Sequence, residues 1–205
     1  VVQQDPPVRP ATTVKAAGGQ PVAGSPPPRH GLLVGIGPLE RNSLEFLGLV
    51  LPEVFELPFV VHGQTMDGDA AYDPLRRQWN AAHLLRDLDL IAGPGPERVL
   101  GVTAVDLFIP ILTFVFGLAH LGQRCAVVSL HRLRSEFYGL STDSDRLMSR
   151  LEKEAIHELG HTYGLVHCPE FDCVMHYSND VDQVDLKSPN LCLRCRTRTK
   201  TGISA

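Results

Sequence analysis

The feature that most restricts this chain is the run His157-Glu158-Leu159-Gly160-His161-Thr162-Tyr163-Gly164-Leu165-Val166-His167. Histidines four apart project from the same side of a helix one turn apart, so their rings can meet only if this stretch is helical. Two imidazole nitrogens then converge on one Zn²⁺ at ~2.0–2.1 Å. Glu158, one residue on, is badly placed as a third ligand. It is well placed beside the water that the metal activates, as a general base. The third ligand is His167, which swings back only if the helix breaks at Gly164, a residue free to take positive φ. Asp143 and Ser144 offer N-cap oxygens, so a helix over about 144–163 is predicted. On a helical wheel His157, Glu158 and His161 fall on one side, and Met148, Ala155, Ile156, Leu159 and Tyr163 on the other. Chemistry is therefore expected to face out of the core and packing to face in. A solvated polar face with incidental histidines is the competing reading, and it leaves the register of Gly164 and His167 unexplained.

The rest of the chain must supply a scaffold for that helix. Residues 1–30 are rich in Pro and Gly and read as an extended arm. From Gly31 the run Leu32-Leu33-Val34-Gly35-Ile36 reads as a strand buried on both faces. Residues 41–50 look helical, and Val54 to His62 look like a strand in which Pro58 requires an edge or bulge. Arg76 to Leu90 follows the start signal Asp73-Pro74 and is predicted helical. Further strands are predicted at Arg98 to Val105, Thr113 to Leu118 and Ala126 to Leu130. This alternation implies an α/β (α+β) fold with a mostly parallel, helix-covered sheet. Gly35-x-Gly37 lacks the third glycine of a dinucleotide fingerprint, because Glu40 stands there, and a tight turn is the better reading.

At 205 residues, with 43% apolar and 20% charged side chains, the chain can bury one core without help, so residues 31–205 are read as a single domain. A net charge of −4 gives no sign of nucleic-acid binding. The apolar runs Leu107 to Ala119 and Leu44 to Val61 are too short or too interrupted for a bilayer span of ~20 residues. No basic segment followed by an apolar one opens the sequence, and a cytoplasmic protein is expected, a reading that does not extend to a leader already removed.

Of five cysteines, Cys168, Cys173, Cys192 and Cys195 form Cys-x4-Cys and Cys-x2-Cys pairs near the end. Four thiolates could close a tetrahedral zinc site with no open position, a structural site; disulfides or a redox pair are the rivals. Cys125, before Ala126-Val127-Val128, reads as core. The other histidines, His30, His62, His83, His120, His131 and His176, have no partner at ligand spacing. Arg194, Arg196, Arg198 and Lys200 read as a solvated basic terminus.

The combined pattern His157-Glu158-x-x-His161-x-x-Gly164-x-x-His167-Cys168-x4-Cys173-x-Met175, followed by Cys192-x-x-Cys195, resembles the archaemetzincins, a branch of the metzincin metalloproteases. Tyr72 to Asn80 and Phe114 to Ala119 are similar to that family too, while the arm before Gly31 matches nothing in it. The resemblance implies two zinc ions, one catalytic and one on the four cysteines, and a peptide or protein substrate. It implies an antiparallel edge strand, here within Thr113 to Ala119, along which an extended peptide would pair. It divides the domain into an upper part, 31–164, and a zinc-stapled lower part, 165–205. Met175 would be the Met-turn residue, packed beneath the histidines as an apolar floor. Met175-His176-Tyr177 is also similar to the turn of astacin-like metzincins, in which Tyr177 would stabilise the oxyanion; a packing role is the alternative. A monomer is favoured. Two further readings stay open: a zinc-stabilised binding protein whose cleft the arm or His176 blocks, and an aminopeptidase anchoring a free amine on Glu170 or Asp172.

Overall fold

The computed structural model describes residues 29–201, so the arm expected over 1–30 lies almost entirely outside the described residues. Strand β1 (Gly31–Ile36) is followed by helix α1 (Arg41–Phe55) and strand β2 (Phe59–Val61). Short strands β3 (Tyr72–Asp73) and β4 (Gln78–Asn80) lead into helix α2 (Ala81–Ala92). Then come β5 (Arg98–Thr103), β6 (Leu107–Ile109), β7 (Leu112–Val115), β8 (Gly117–Ala119) and β9 (Cys125–Ser129). Helices α3 (Ser144–Thr162), α4 (Val181–Leu186) and α5 (Leu193–Thr201) complete the chain.

The main sheet has the order β2-β1-β5-β9-β8, parallel except for β8, which pairs antiparallel with β9. The expected mostly parallel sheet with an antiparallel edge strand is therefore present. Its strands alternate between two cores. Leu33, Leu100, Val102, Ala126 and Val128 pack with α1 and α3, whereas Leu32, Val34, Ile36, Val99 and Val127 pack with α2. Gly37, just after β1, has φ +64°, the tight turn expected there.

Three element boundaries depart from expectation. The stretch from Val54 to His62 is strand only over β2; Val54 and Phe55 still belong to α1, and Glu56 closes that helix in the left-handed region at φ 51°. The second helix starts at Ala81, not Arg76. Asp73 Oδ1 accepts from the backbone N–H groups of Leu75 (2.9 Å) and Arg76 (3.1 Å), and Arg77 takes φ 57°, so the start signal closes a turn between β3 and β4. Asn80 is the true N-cap, its Oδ1 accepting from Ala82 and His83. The predicted strand over 113–118 is two strands in different sheets. β7 is the outer strand of a second sheet, β3-β4-β6-β7, and β8 is the outer strand of the main one. Gln78 ties that second sheet together, its Nε2 donating to Asp106 and to the Thr113 carbonyl, both at 2.9 Å.

The segment after α3 is tied back to it by more than cysteine. Val181, Val184 and Leu191 are buried in the same core as Leu151 and Ala155. Arg150 forks onto Asp185 at 2.7 and 2.6 Å, and Lys153 donates to the carbonyls of Val184 (3.1 Å) and Asp185 (3.0 Å). Val181, Val184 and Leu191 thus anchor the segment on the core that holds α3, while Leu186 and Leu193 stay exposed.

Candidate metal centre

Helix α3 is capped by Asp143, whose side chain accepts from Arg146 N–H at 3.0 Å. Its other end is closed as the sequence requires. Gly164 has φ +79°, its N–H bonds to the His161 carbonyl (2.9 Å) and the Leu165 N–H to the Gly160 carbonyl (3.1 Å). This paired termination turns the chain through one left-handed residue and returns His167 toward the helix. Nitrogens of His157, His161 and His167 lie within 4.8 Å of one another.

The ring orientations are fixed from behind. His157 Nδ1 lies 2.9 Å from the Val174 carbonyl and His161 Nδ1 2.7 Å from the Leu165 carbonyl. Carbonyls only accept, so both Nδ1 atoms carry the proton and both Nε2 atoms present lone pairs. Those two Nε2 atoms are 3.2 Å apart. Tetrahedral ligands ~2.0–2.1 Å from zinc would stand about 3.4 Å apart, so the donor set fits that ion. Burial holds all three imidazoles below the usual histidine range, His157 furthest, which keeps them neutral and able to ligate.

The expectation that the chemistry faces out of the core is wrong for part of the set. His157 and Glu158 are buried, His161 is half-buried, and only His167 is exposed. The reason is that α3 is covered on both sides, by α1 and the main sheet on one and by residues 165–191 on the other. Burial, with Glu154 adding to it, pushes the Glu158 carboxyl well above the usual carboxylate range. Glu158 lies across Gly117 of β8: a β-carbon there would stand 2.5 Å from Glu158 Cγ and 2.6 Å from the Val127 carbonyl oxygen. Met175 is fully buried, with its sulfur against the backbone of Gly160, where any β-carbon would collide with it.

A cleft of about 370 Å³ runs over this set, bounded by β7 and β8 on one side and by Tyr177, Ser178 and Asn179 on the other. The Tyr177 ring is 4.9 Å from that of His167. Glu154 and Lys187 also reach the cleft, as a buried pair 2.9 Å apart. His176 is turned away, its Nδ1 donating to the Cys168 carbonyl at 3.0 Å, and so is not a blocking element. Glu170 and Asp172 lie in the loop before Cys173, outside the cleft lining, and give no amine anchor there.

The four cysteines converge as well, their Sγ atoms within 4.8 Å of one another. Cys168 Sγ and Cys192 Sγ are 3.8 Å apart, far beyond a disulfide and close to the spacing of about 3.8 Å that ~2.3 Å Zn–S bonds give in a tetrahedron. The Cys192 N–H donates to Cys173 Sγ (3.3 Å) and Arg194 Nη2 to Cys168 Sγ (3.4 Å); burial nonetheless keeps the Cys173 and Cys195 thiols above their usual range. Burial raises the Cys168 thiol, but the Glu170 backbone and Arg194 outweigh it and bring it to about 7. Arg194 is thus part of the cluster's surroundings and not merely a solvated terminus. Cys125 is buried core, as expected, and burial beside Asp89 pushes its thiol up to about 12.

Sequence reasoning missed Gly117, Gly160, Glu154 and Lys187. Gly160 carried a signal, since a glycine inside a helix costs about 1 kcal/mol against alanine and needs a reason. Lys187 carried none.

A helix-borne histidine pair, a third histidine beyond a glycine stop, a methionine floor and an antiparallel edge strand above the cleft together define a metallopeptidase of the metzincin type. Peptidase family M54 matches residues 65–201. The archaemetzincin of Pyrococcus furiosus is 48% identical over 172 residues, covering 80% of this chain and 88% of that one. That of Methanocaldococcus jannaschii is 46% identical over 160 residues, 78% and 87% of the two chains. The crystal structure of Methanopyrus kandleri archaemetzincin superposes with a TM-score of 0.73 at 34% identity, covering 86% of this chain and 97% of that one. The Archaeoglobus fulgidus archaemetzincin, complexed with malonate, gives 0.71 at 34% identity, covering 82% and 99%. This chain belongs to the archaemetzincins, peptidase family M54. It is by that membership a zinc metallopeptidase, and no helix among the described residues is long and apolar enough to cross a membrane.

Proposed function

We propose that the protein hydrolyses peptide bonds within extended segments, with His157, His161 and His167 holding a catalytic zinc and Glu158 as general base. The observation that carries this reading is Glu158 lodged between β8 and the histidine set, at the floor of an open cleft. Zinc at that site would supply Lewis acidity, lowering the pKa of water and polarising a carbonyl. Glu158, as carboxylate beside the zinc-loaded site, takes the proton from the attacking water and hands it to the leaving amine. The outer edge of β8, unpaired in the described residues, offers backbone groups to an extended peptide, which would lie along the cleft largely regardless of its sequence. Tyr177, on the opposite wall beside His167, is the candidate donor to the developing oxyanion.

Cys168, Cys173, Cys192 and Cys195 would hold a second, structural zinc, giving two ions per chain and stapling together the lower part that follows residue 164. The side chains around the first site support catalysis over mere binding, because among the described residues the cleft is open along β8 and His176 points elsewhere. Internal cleavage is favoured over removal of terminal residues, since Glu170 and Asp172 do not reach the cleft. Incubating the zinc-loaded protein with an unstructured peptide library, alongside Glu158→Gln, tests the reading. Cleavage at internal bonds by the first and none by the second is expected; intact peptides with both would overturn it.

A further inference from the structure

The cleft contains a feature that the hydrolytic reading does not use. One turn before Glu158 on α3, Glu154 is 4% exposed and Lys187, from the segment after α4, is 3% exposed, and both line the cleft. Lys187 Nζ stands 2.9 Å from Glu154 Oε1, off the angle for a hydrogen bond, and that oxygen has no hydrogen-bond partner. Lys187 also donates to the His176 carbonyl at 3.4 Å, the one hydrogen bond among its three protons. Ser178 Oγ is buried, lines the same cleft and has no hydrogen-bond partner either. Burying two charges costs several kcal/mol each, and an apolar pair of similar volume is often as stable, so such a pair is weak as a device for stability. Under-satisfied polar atoms lining a cleft are instead suited to a ligand that completes them.

We propose that Glu154, Lys187 and Ser178 line the specificity pocket of the protease and that it selects a neutral primary amide, the side chain of glutamine or asparagine, in the peptide. The proposal rests on the peptidase reading above. The argument is one of charge and donor balance. A basic side chain would meet Glu154 but also the ammonium of Lys187, and an acidic one would meet Lys187 but also the carboxylates of Glu154 and Glu158. An aliphatic one would leave Glu154 Oε1 with its ion pair alone and Ser178 Oγ with no hydrogen-bond partner. A carboxamide offers N–H donors to Glu154 and a carbonyl to Lys187 or Ser178, and brings no net charge into the pocket. A site built to hydrogen-bond a substrate rejects analogues that lack those groups far more strongly than an apolar pocket separates sizes.

The test reads binding as well as turnover. Zinc-loaded Glu158→Gln protein is titrated with fluorescent peptides of one fixed sequence in which Gln, Leu, Glu or Lys is placed at each position in turn. At one position Gln should bind about tenfold or more tighter than the other three. In the Glu154→Leu/Lys187→Met background the preference at that position should pass to Leu. A preference for Leu, Glu or Lys in the parent, no preference at any position, or a Gln preference that survives the double substitution overturns the proposal. If the double variant does not fold, Ser178→Ala must weaken the Gln preference, and no weakening counts against it. Gln-selective binding without cleavage by the unsubstituted protein would instead sink the hydrolase reading and leave the pocket standing.

Discussion

Glu158 rests on the bare backbone of Gly117, with only 2.5 Å between its Cγ and the place a β-carbon at 117 would occupy. The proposed base and the proposed substrate-binding strand are thus in direct van der Waals contact. The position of one sets the position of the other.

Gly117→Ala tests that contact. The new methyl cannot move toward the sheet, because the Val127 carbonyl stands 2.6 Å away, so Glu158 must leave its place. Overpacking of this kind costs about 1–3 kcal/mol. We expect kcat to fall by about a hundredfold with zinc content unchanged, since misplacing a reacting group by ~1 Å costs that much. Parent-like kcat in a correctly folded Gly117→Ala protein would show that Glu158 is not held by β8.

Gly160→Ala should reverse the usual sign of such a change. Inside a helix the substitution ordinarily stabilises by about 1 kcal/mol. Here the methyl meets the Met175 sulfur and the Leu165 side chain, and both residues are fully buried. A lower Tm than the parent is expected by thermal denaturation, and a rise would remove Met175 as the floor of the site.

These two contacts mark the boundary of what the sequence makes legible. His157, His161, Gly164 and His167 were readable because metal ligation is local: helical period and a positive φ relate them within one short stretch. The strands β1, β5 and β9 were readable because they are buried on both faces and show it as unbroken apolar runs. What stayed hidden depends on chain brought from afar. Whether Glu158 faces solvent or protein is decided by Gly117 and by residues 165–191, not by the wheel of its own helix. The break of residues 113–118 into β7 and β8 is decided by which partner strand each finds, β6 or β9. Lys187 meets Glu154 across 33 residues of sequence, and no local pattern announces a pair of that kind. Asp73-Pro74 misled for a different reason, since an Asp that caps a helix and an Asp that closes a turn use the same side-chain oxygen.

Cys192→Ser separates the two metal sites. The cysteine cluster shares backbone with the histidine site: Cys168 N–H donates to the Met175 carbonyl at 2.9 Å, and the carbonyl of Val174, next to Cys173, holds His157. Elemental analysis should find one zinc per chain in place of two, and Tm should fall by several degrees, because metal binding supplies folding free energy directly. Two zinc ions in the variant would mean that the fourth thiolate is not a ligand.

Removing the metal exposes the titration of its ligands, and the signs can be worked out. His157, His161 and His167 are held below their unfolded range by burial, so between their folded values and about 6.5 the unfolded chain binds more protons. Their contribution to stability is therefore complete above that range and is lost as pH falls through it. Glu158 is shifted upward by burial, so above about 4.5 the folded state is the one that holds the extra proton, and stability falls as pH rises through its window. Three histidines outweigh one carboxyl over this interval, so chelated protein should melt at a lower temperature at pH 5.5 than at pH 7. At pH 8 chelated Glu158→Gln should melt above chelated parent, because the amide removes the cost of ionising a fully buried carboxyl. The zinc-loaded pair should show the opposite order of function, with the more stable variant inactive. Differential scanning calorimetry of the four samples across pH checks this, and a Glu158→Gln protein no more stable than the parent at pH 8 would mean that the carboxylate is solvated in the folded chain.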